Sequence, residues 1–466
     1  AWLTAKCEFP GRRYFDWALM LPLAVPAYVM AFVALGLMDF TGPVQTALRQ
    51  LLGQQNFWFP EVRSTGGVVT VMTLVLYPYV YMLARSSFIT QGNSTVEAAR
   101  ILGLSASAAF FRISIPTARP AIVAGLSLAL METLADFGTV AIFNYDTFTT
   151  AIYKAWFGLF NLQAASQLAS FLLVLVVIAL TAERNLRGKA KYHEATRSSR
   201  VHRYQLSGWH RWTAVLTAST VLLIAFILPV IQLGLWAWEV LSEDMDSRYV
   251  SMLTNTLMLG GMAAVITVIG AMILAFTRRS HDDLVVRSSV NIATLGYALP
   301  GSVLAVGIML TFASIDNVLL TIGRLIGWQT PGQILTGSVF ALVIAYVVRF
   351  LAVAFGPIDS GLGRIRASIA EAARGLGSSP ATTLWRVYLP LLRPGLFTAA
   401  LLVLVDVMKE MPATMLLRPF GWDTLAVRIY EMTSEGEWER AALPAITLIL
   451  VGLIPVIVLV RRSSKH

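Results

Sequence analysis

Charge is what this chain of 466 residues has least of: only 13% of it is Asp, Glu, Lys or Arg. Cysteine is nearly absent. The single residue, Cys7, excludes an internal disulfide and any multi-cysteine metal site. The five histidines, His193, His202, His210, His281 and His466, lie outside the apolar runs and share no metal-ligand spacing. No G-x-x-x-x-G-K-[ST] segment occurs, so the phosphate-cradling loop of nucleotide hydrolases is missing. No nucleophile paired with a base stands inside an apolar run, which removes the basis for a membrane-embedded enzyme.

Hydrophobic residues make up 56% of the chain, with a mean hydropathy of +0.68. Runs of about 20 apolar residues, the length a helix needs to cross a bilayer, recur throughout. They are read at Trp17–Met38, Gly66–Ala84, Ala121–Phe143, Ala164–Ala182, Thr213–Trp238, Leu253–Phe276, Ser289–Phe312, Gln333–Phe355, Leu396–Met408 with its continuation, and Ala441–Val460. The net charge of +10 is a topology signal rather than a nucleic-acid footprint. With alternate connections facing one side, most Lys and Arg residues share that side. The other side keeps Arg49, Arg63, Lys154, Arg248, Arg324, Arg418, Arg428 and Arg440, while Arg349 and Lys409 fall near or within the membrane. The positive-inside rule makes the basic side cytoplasmic.

The chain repeats itself. "EAARILGLSASAAFFRISIPTARPA" (Glu97–Ala121) returns 274 positions later as "EAARGLGSSPATTLWRVYLPLLRPG" (Glu371–Gly395). "MLPLAVPAYVMAFVALG" (Met20–Gly36) resembles "ALPGSVLAVGIMLTFAS" (Ala298–Ser314), pairing Pro22 with Pro300, and "DTFTTAIYKAW" from Asp146 resembles "DTLAVRIYEMT" from Asp423. Both copies of the polar segment fall on the cytoplasmic side, so the repeats are parallel. The expected fold is an all-α integral membrane protein of two parallel homologous bundles. The first repeat spans 1–182, a basic, solvated cytoplasmic linker 183–211, and the second repeat 212–466, with the C-terminus cytoplasmic. "AWLT" at Ala1 matches "LAFT" at Leu274, the end of a span that another precedes. Two further N-terminal spans are therefore expected, twelve in an intact protein against the ten read here.

Each polar segment reads as helix, turn, helix. Ser94–Glu97 and Ser368–Glu371 fit an S-x-x-E capping box. Gly103 and Gly377 suit a helix C-cap, and Ser379-Pro380 suits an N-cap followed by proline. Ile115-Pro116 and Leu389-Pro390 are expected to end the second helix. The small pairs Ala98-Ala99 and Ala372-Ala373 allow close approach. One such segment alone has a second reading, a helical re-entry loop packed on its own bundle. Two at matching positions favour a partner that is itself two-fold.

The pattern E-A-A-x-x-x-G with a later hydrophobic-Pro, complete as Glu97, Ala98, Ala99, Gly103 and Pro116 and again as Glu371, Ala372, Ala373, Gly377 and Pro390, resembles the coupling loop of type I ATP-binding-cassette importer permeases. The resemblance implies that each loop docks on one of two separate ATPase subunits, which bind ATP and Mg²⁺. Their closure would rock the two halves in alternating access, with a periplasmic binding protein delivering substrate. "LADFGTVAIFNYDTFTTAIYKAWFGLFNLQAASQLA" (Leu134–Ala169) and "KEMPATMLLRPFGWDTLAVRIYEMTSEGEWERAALPA" (Lys409–Ala445) resemble the fused ferric-iron permeases across essentially the whole chain. The "DFGT" element is shared more widely, with sulfate, molybdate, thiamine and polyamine permeases, and an organophosphonate permease stands as a further alternative.

Ionisable residues inside apolar runs are costly and mark function by default. Glu132 and Asp136 match Asp406 and Glu410 at the same offset of 274, each pair spaced i, i+4 and expected on one helical face. Two readings stand. The four acids line a central cation pathway, or they are structural, with Lys409 neutralising a neighbour and Asp136 and Glu410 at the external boundary. Tyr79, Tyr81, Tyr145, Tyr153 and Tyr430 read as interfacial anchors rather than metal ligands.

Overall fold

The computed structural model describes residues 1–53, 57–91, 100–187, 203–281, 283–327 and 332–463. Among them nine helices are long and apolar enough to cross a membrane, and Trp438–Ser463 forms a further 26-residue helix where the last span was expected. Lipid offers no partner to a backbone N–H or C=O, so helices are the economical answer to this composition. The chain packs as two compact units: residues 1–146, 174–238 and 456–466, and residues 147–173 and 239–455.

In the first unit, α1 (Trp2–Lys6) packs beside α3 (Thr65–Thr90), and α3 lies against α4 (Ile115–Ala135). A Cβ on Gly125 would come within 2.6 Å of the Val80 Cα, so only glycine permits that approach. α2 (Ala27–Met38) packs on the short α5 (Gly138–Ile142). The second unit repeats the scheme with α6 (Ser247–Ser280), α7 (Gly301–Leu325), α8 (Val339–Arg364), the loop helix α9 (Ala367–Gly375), α10 (Leu389–Lys409) and the short α11 (Pro412–Leu417). Its core joins Leu259, Leu342, Tyr346, Ile358, Leu392 and Val403, each buried.

Five expectations change. The first span does not begin at Trp17: Arg12–Ala18 is a helix, Leu21–Ala24 a 3₁₀ turn, and α2 starts only after Pro26. The second unit breaks in the same way, with a 3₁₀ turn at Thr294–Ala298 and Pro300 before α7. Pro26 and Pro300 hold the same cap position, at φ −59° and −55°, so Pro26 and not Pro22 is the partner of Pro300. Their separation is the 274 of the polar segments.

Pro116 and Pro390 do not end a helix. The turns before them, Phe110–Ser114 and Leu384–Tyr388, are π-helical, with Ile115 N–H bonded to the Phe110 carbonyl and Leu389 N–H to that of Leu384. The wider turn accommodates the ring and its missing donor, and each helix runs on into α4 or α10. In the second loop α9 starts at Ala367, which puts Ser368 inside the first turn and removes it from a capping box; Ser94–Glu97 lies outside the described residues. The described end of the linker is docked at Tyr204–Leu206, while 188–202 lies outside the described residues. Tyr204–Gln205 (β2) pairs in parallel with Cys7–Glu8 (β1), and Leu206 packs on the cluster of Cys7, Phe9 and Ala214. Burial pushes the Cys7 thiol up to about 11, as expected of a packed, unreactive cysteine.

The turn before α8 depends on Asp316, fully buried in α7. Its carboxylate accepts from the backbone N–H of Ile334 (3.2 Å), Leu335 (2.9 Å) and Thr336 (2.8 Å). Asp316→Ala is expected to cost on the order of 3 kcal/mol, because it strands buried donors, whereas Asp316→Asn keeps an acceptor and loses less. Thermal unfolding of the detergent-purified variants checks the order.

Candidate functional site

Two places in each unit carry the polar chemistry: the repeated polar loop, and the break after the helix that follows it.

In the first loop Gly103 has φ +93° and in the second Gly377 has φ +80°. Both are left-handed, the conformation a helix C-cap demands and glycine alone adopts without strain. Leu376 N–H and Ser378 N–H close the second turn on the carbonyls of Ala372 and Ala373, both at 3.0 Å. Past the turn, Ser105 Oγ accepts from Ala108 N–H and Ser379 Oγ from Thr382 N–H, each at 3.2 Å. The N-cap expected at Ser379 is therefore present in both copies.

What the loops present is apolar and repeated. Leu102 is 85% exposed and its repeat partner Leu376 is 88% exposed; Phe111 and Trp385, also partners, are 66% and 70% exposed. Exposed Arg112 and Arg386 stand beside these aromatics. Glu371, Ala372 and Gly377 are exposed and Ala373 half-buried, so the second copy's motif is accessible. Gly103 is exposed in the first copy, while Glu97, Ala98 and Ala99 lie outside the described residues.

The second place is the break. α4 stops at Ala135 and α10 at Lys409, so Asp136 and Glu410 follow the last helical residue with extended backbone (ψ 132° and 111°). Neither shares a helical face with its i−4 acid, contrary to expectation. Each is turned instead toward the short helix beyond. Asp136 accepts from Thr139 N–H (3.0 Å), Val140 N–H (3.3 Å) and Thr139 Oγ1 (3.0 Å). Glu410 Oε1 accepts from Ala413 N–H (3.0 Å). These are capping bonds, placed where a helix start has donors to satisfy.

Glu410 belongs to a larger knot. Arg349 Nε lies 3.2 Å from Glu410 Oε2, a buried ion-pair contact, and Arg349 Nη1 donates to the Leu299 carbonyl at 2.8 Å. Tyr346 Oη and Thr414 Oγ1 meet at 2.6 Å. Gly301 completes it: a Cβ there would overlap Glu410 Oε1 and come within 3.1 Å of Arg349 Nη1. The knot thus ties the break before α7, the middle of α8 and the break after α10. Sequence reading left Arg349 as an unassigned charge and did not single out Asp316. The signal was an isolated ionisable residue in an apolar run, "AYVVRFLAV" and "FASIDNVLL".

Glu132 and Asp406 lie inside α4 and α10, half-buried. Two of the tyrosines pack within the protein. Tyr81 is buried, donating to the Asp16 carbonyl at 3.1 Å, and so is no interfacial anchor; Tyr153 stacks on Phe157. Among the described residues no group of three His, Cys, Asp or Glu side chains could hold a metal ion.

With the duplicated loops and breaks in place, comparison with known proteins is informative. The family described as "binding-protein-dependent transport system inner membrane component" matches residues 1–185 and 267–465. The chain belongs to this family. It is a multi-pass permease component of an inner-membrane transport system. Over its whole length it is 27% identical to the Fe(3+)-transport system permease protein FbpB 2 of Haemophilus influenzae, covering 86% of that protein. It is 22% identical to the ferric transport system permease protein FbpB of Actinobacillus pleuropneumoniae, over 93% of this chain and 63% of that one. A third of the chain is 34% identical to 58% of a Salmonella typhimurium permease protein named for 2-aminoethylphosphonate transport, PhnV.

Removing the guanidinium would leave Glu410 buried and uncompensated. Arg349→Leu is expected to cost about 3–5 kcal/mol, and Arg349→Leu with Glu410→Gln markedly less, since the amide keeps the cap to Ala413 without the charge. A double-mutant cycle in thermal stability measures the difference.

Proposed function

We propose that this chain is the permease of an ATP-driven importer in which each loop docks on one of two copies of a cytoplasmic ATPase subunit. The supporting observation is what both loops repeat: exposed Leu102 and Phe111 in one, exposed Leu376 and Trp385 in the other, with a left-handed glycine after each leucine and an arginine after each aromatic. An exposed apolar knob with a polar rim is what a protein groove accepts. ATP and Mg²⁺ are then held by the ATPase subunits. Closure of the pair rocks the two repeats in alternating access, and a periplasmic binding protein delivers the substrate. Loops, linker and C-terminus face the cytoplasm, as the positive-inside rule directs.

Ferric iron is the substrate we assign, because the relatives matched over most of this chain are named for it. The PhnV match makes an organophosphonate the second reading. Labelled ferric iron and 2-aminoethylphosphonate, offered to the reconstituted complex with its own binding protein, separate the two: uptake of the phosphonate alone overturns the iron assignment. Within the permease, Glu132, Asp136, Asp406 and Glu410 serve a cation pathway in two ways. Glu132 and Asp406 supply negative potential, and Asp136 and Glu410 hold the breaks that shape it.

Two measurements test these roles. Gly377→Val imposes a left-handed conformation on a β-branched residue, a strain of about 1–3 kcal/mol, and is expected to abolish substrate uptake while ATP hydrolysis continues. Wild-type uptake in that variant would count against docking through this turn. Glu132→Gln with Asp406→Asn is expected to cut iron uptake by about tenfold or more at normal complex yield. Unchanged uptake removes both acids from the pathway.

A further inference from the structure

At the root of each loop a cation from another helix closes on the backbone. Lys6, in the last turn of α1, is buried at 5% exposure and donates from Nζ to the Gln91 carbonyl at 2.6 Å. Gln91 is the C-cap residue of α3, where the chain leaves for the first loop. Arg279, in the last turn of α6, donates from Nη2 to the Ile365 carbonyl, also at 2.6 Å, and from Nη1 to the Leu362 carbonyl. Ile365 is the C-cap residue of α8, two positions before α9.

The two arrangements correspond residue by residue. Gln91 and Ile365 are related by the offset of the loops themselves, 274. Lys6 and Arg279 are related by 273, the offset at which "AWLT" matches "LAFT". Each arrangement also reaches the far end of its loop at matching residues. Gln91 Nε2 donates to the Ser114 carbonyl at 3.2 Å, and the Arg279 guanidinium lies 5.5 Å from the Tyr388 ring centroid. Ser114 and Tyr388 are the last residues of the two π turns. Both the outgoing and the returning end of each loop are therefore gathered at one cation-bearing helix end.

The last carbonyls of a helix have no intrahelical donor, and a cation placed there satisfies them. Ordinary capping explains the bond. It does not explain why both copies take the cation from a different helix, at aligned positions, and why in both copies one partner of that bond, Gln91 or Arg279, also contacts the returning end. We propose that Lys6 and Arg279 are positioning residues for energy coupling. Each binds its loop to α1 or α6, so that a displacement of the loop carries that helix with it instead of pivoting at the end of α3 or α8. The inference rests on the reading that the loops receive the ATPase.

The test uses the full permease–ATPase complex in proteoliposomes, with uptake per ATP hydrolysed as the readout. Lys6→Met with Arg279→Met is expected to retain the ATPase on co-purification but to lower uptake per ATP by about tenfold, in the range for a broken coupling contact. Lys6→Arg with Arg279→Lys should restore the ratio. Arg278→Met, which removes a neighbouring exposed cation facing Asp359 at 3.4 Å, should not change it. If the double variant does not accumulate, Arg279→Gln, which can donate fewer bonds, is measured alone and is expected to shift the ratio in the same direction. Leu102→Asp with Leu376→Asp probes the underlying reading and should release the ATPase. Release there, with an unchanged ratio in the Lys6 and Arg279 variants, overturns the clamp alone. An ATPase still bound to the aspartate variant overturns the docking reading and the clamp with it.

Discussion

Every structural device in this chain answers one constraint: a backbone group that leaves a helix inside or beside a bilayer must find a partner in the protein. Long unbroken helices meet the constraint at no cost in side chains, and a bundle of nothing else would be simpler to build. The breaks are where cost is incurred, and each is accompanied by a polar side chain placed to meet it. Asp136 and Glu410 accept from the short helices beyond α4 and α10, and Asp316 from the turn before α8. Ser105 and Ser379 cap the returning helices of the loops, and Lys6 and Arg279 close the carbonyls at their roots. These polar residues mark discontinuities of the chain.

That economy explains what the sequence made legible. The loops could be read because their requirements are specific: glycine for a left-handed turn, serine before proline for a cap, small residues for close approach. The acids Asp136 and Glu410 could be paired for the same reason, although their geometry could not. An i, i+4 spacing describes one helical face only while the helix lasts, and nothing in "METLADFG" marks the end at Ala135. Apolar stretches carry less register information, because one aliphatic side chain facing lipid or core replaces another at small cost. Hence Pro22 was matched to Pro300 four residues out of phase, while the polar offset of 274 leads to Pro26. The π turns at Phe110–Ser114 and Leu384–Tyr388 were hidden for another reason. The rule that proline ends a helix assumes α-helical spacing, and one widened turn removes the conflict.

The repeats have diverged where polar and apolar solutions are interchangeable. Arg349 and Tyr346 of the second repeat stand at the offset from Val75 and Met72 of the first, all four buried. Gly301, whose Cβ would collide with Glu410, corresponds to Ala27, where the methyl group is present. The substitutions form a set. A guanidinium needs the carboxylate, the carboxylate needs the space glycine leaves, and an apolar Val75 needs neither. A buried ion pair adds little net stability over well-packed apolar residues, so the set cannot be explained by stability alone. What it adds is directionality: an ion pair with hydrogen-bonded ends fixes the angle of α8 against two breaks, which aliphatic packing leaves freer to slide.

Divergence at the breaks contrasts with constancy at the loops. Gly103 and Gly377, Ser105 and Ser379, Leu102 and Leu376, and Arg112 and Arg386 keep type and position between repeats, and Phe111 with Trp385 keeps character. Each loop meets the same demands if the partner presents the same surface twice. The interior meets no such demand, because packing against lipid and core does not require two identical walls. A duplicated bundle under those two pressures would stay symmetric at its loops and drift apart at its centre. That is the distribution of polar residues the two repeats display, constant at the loops and individual at the Glu410–Arg349 knot.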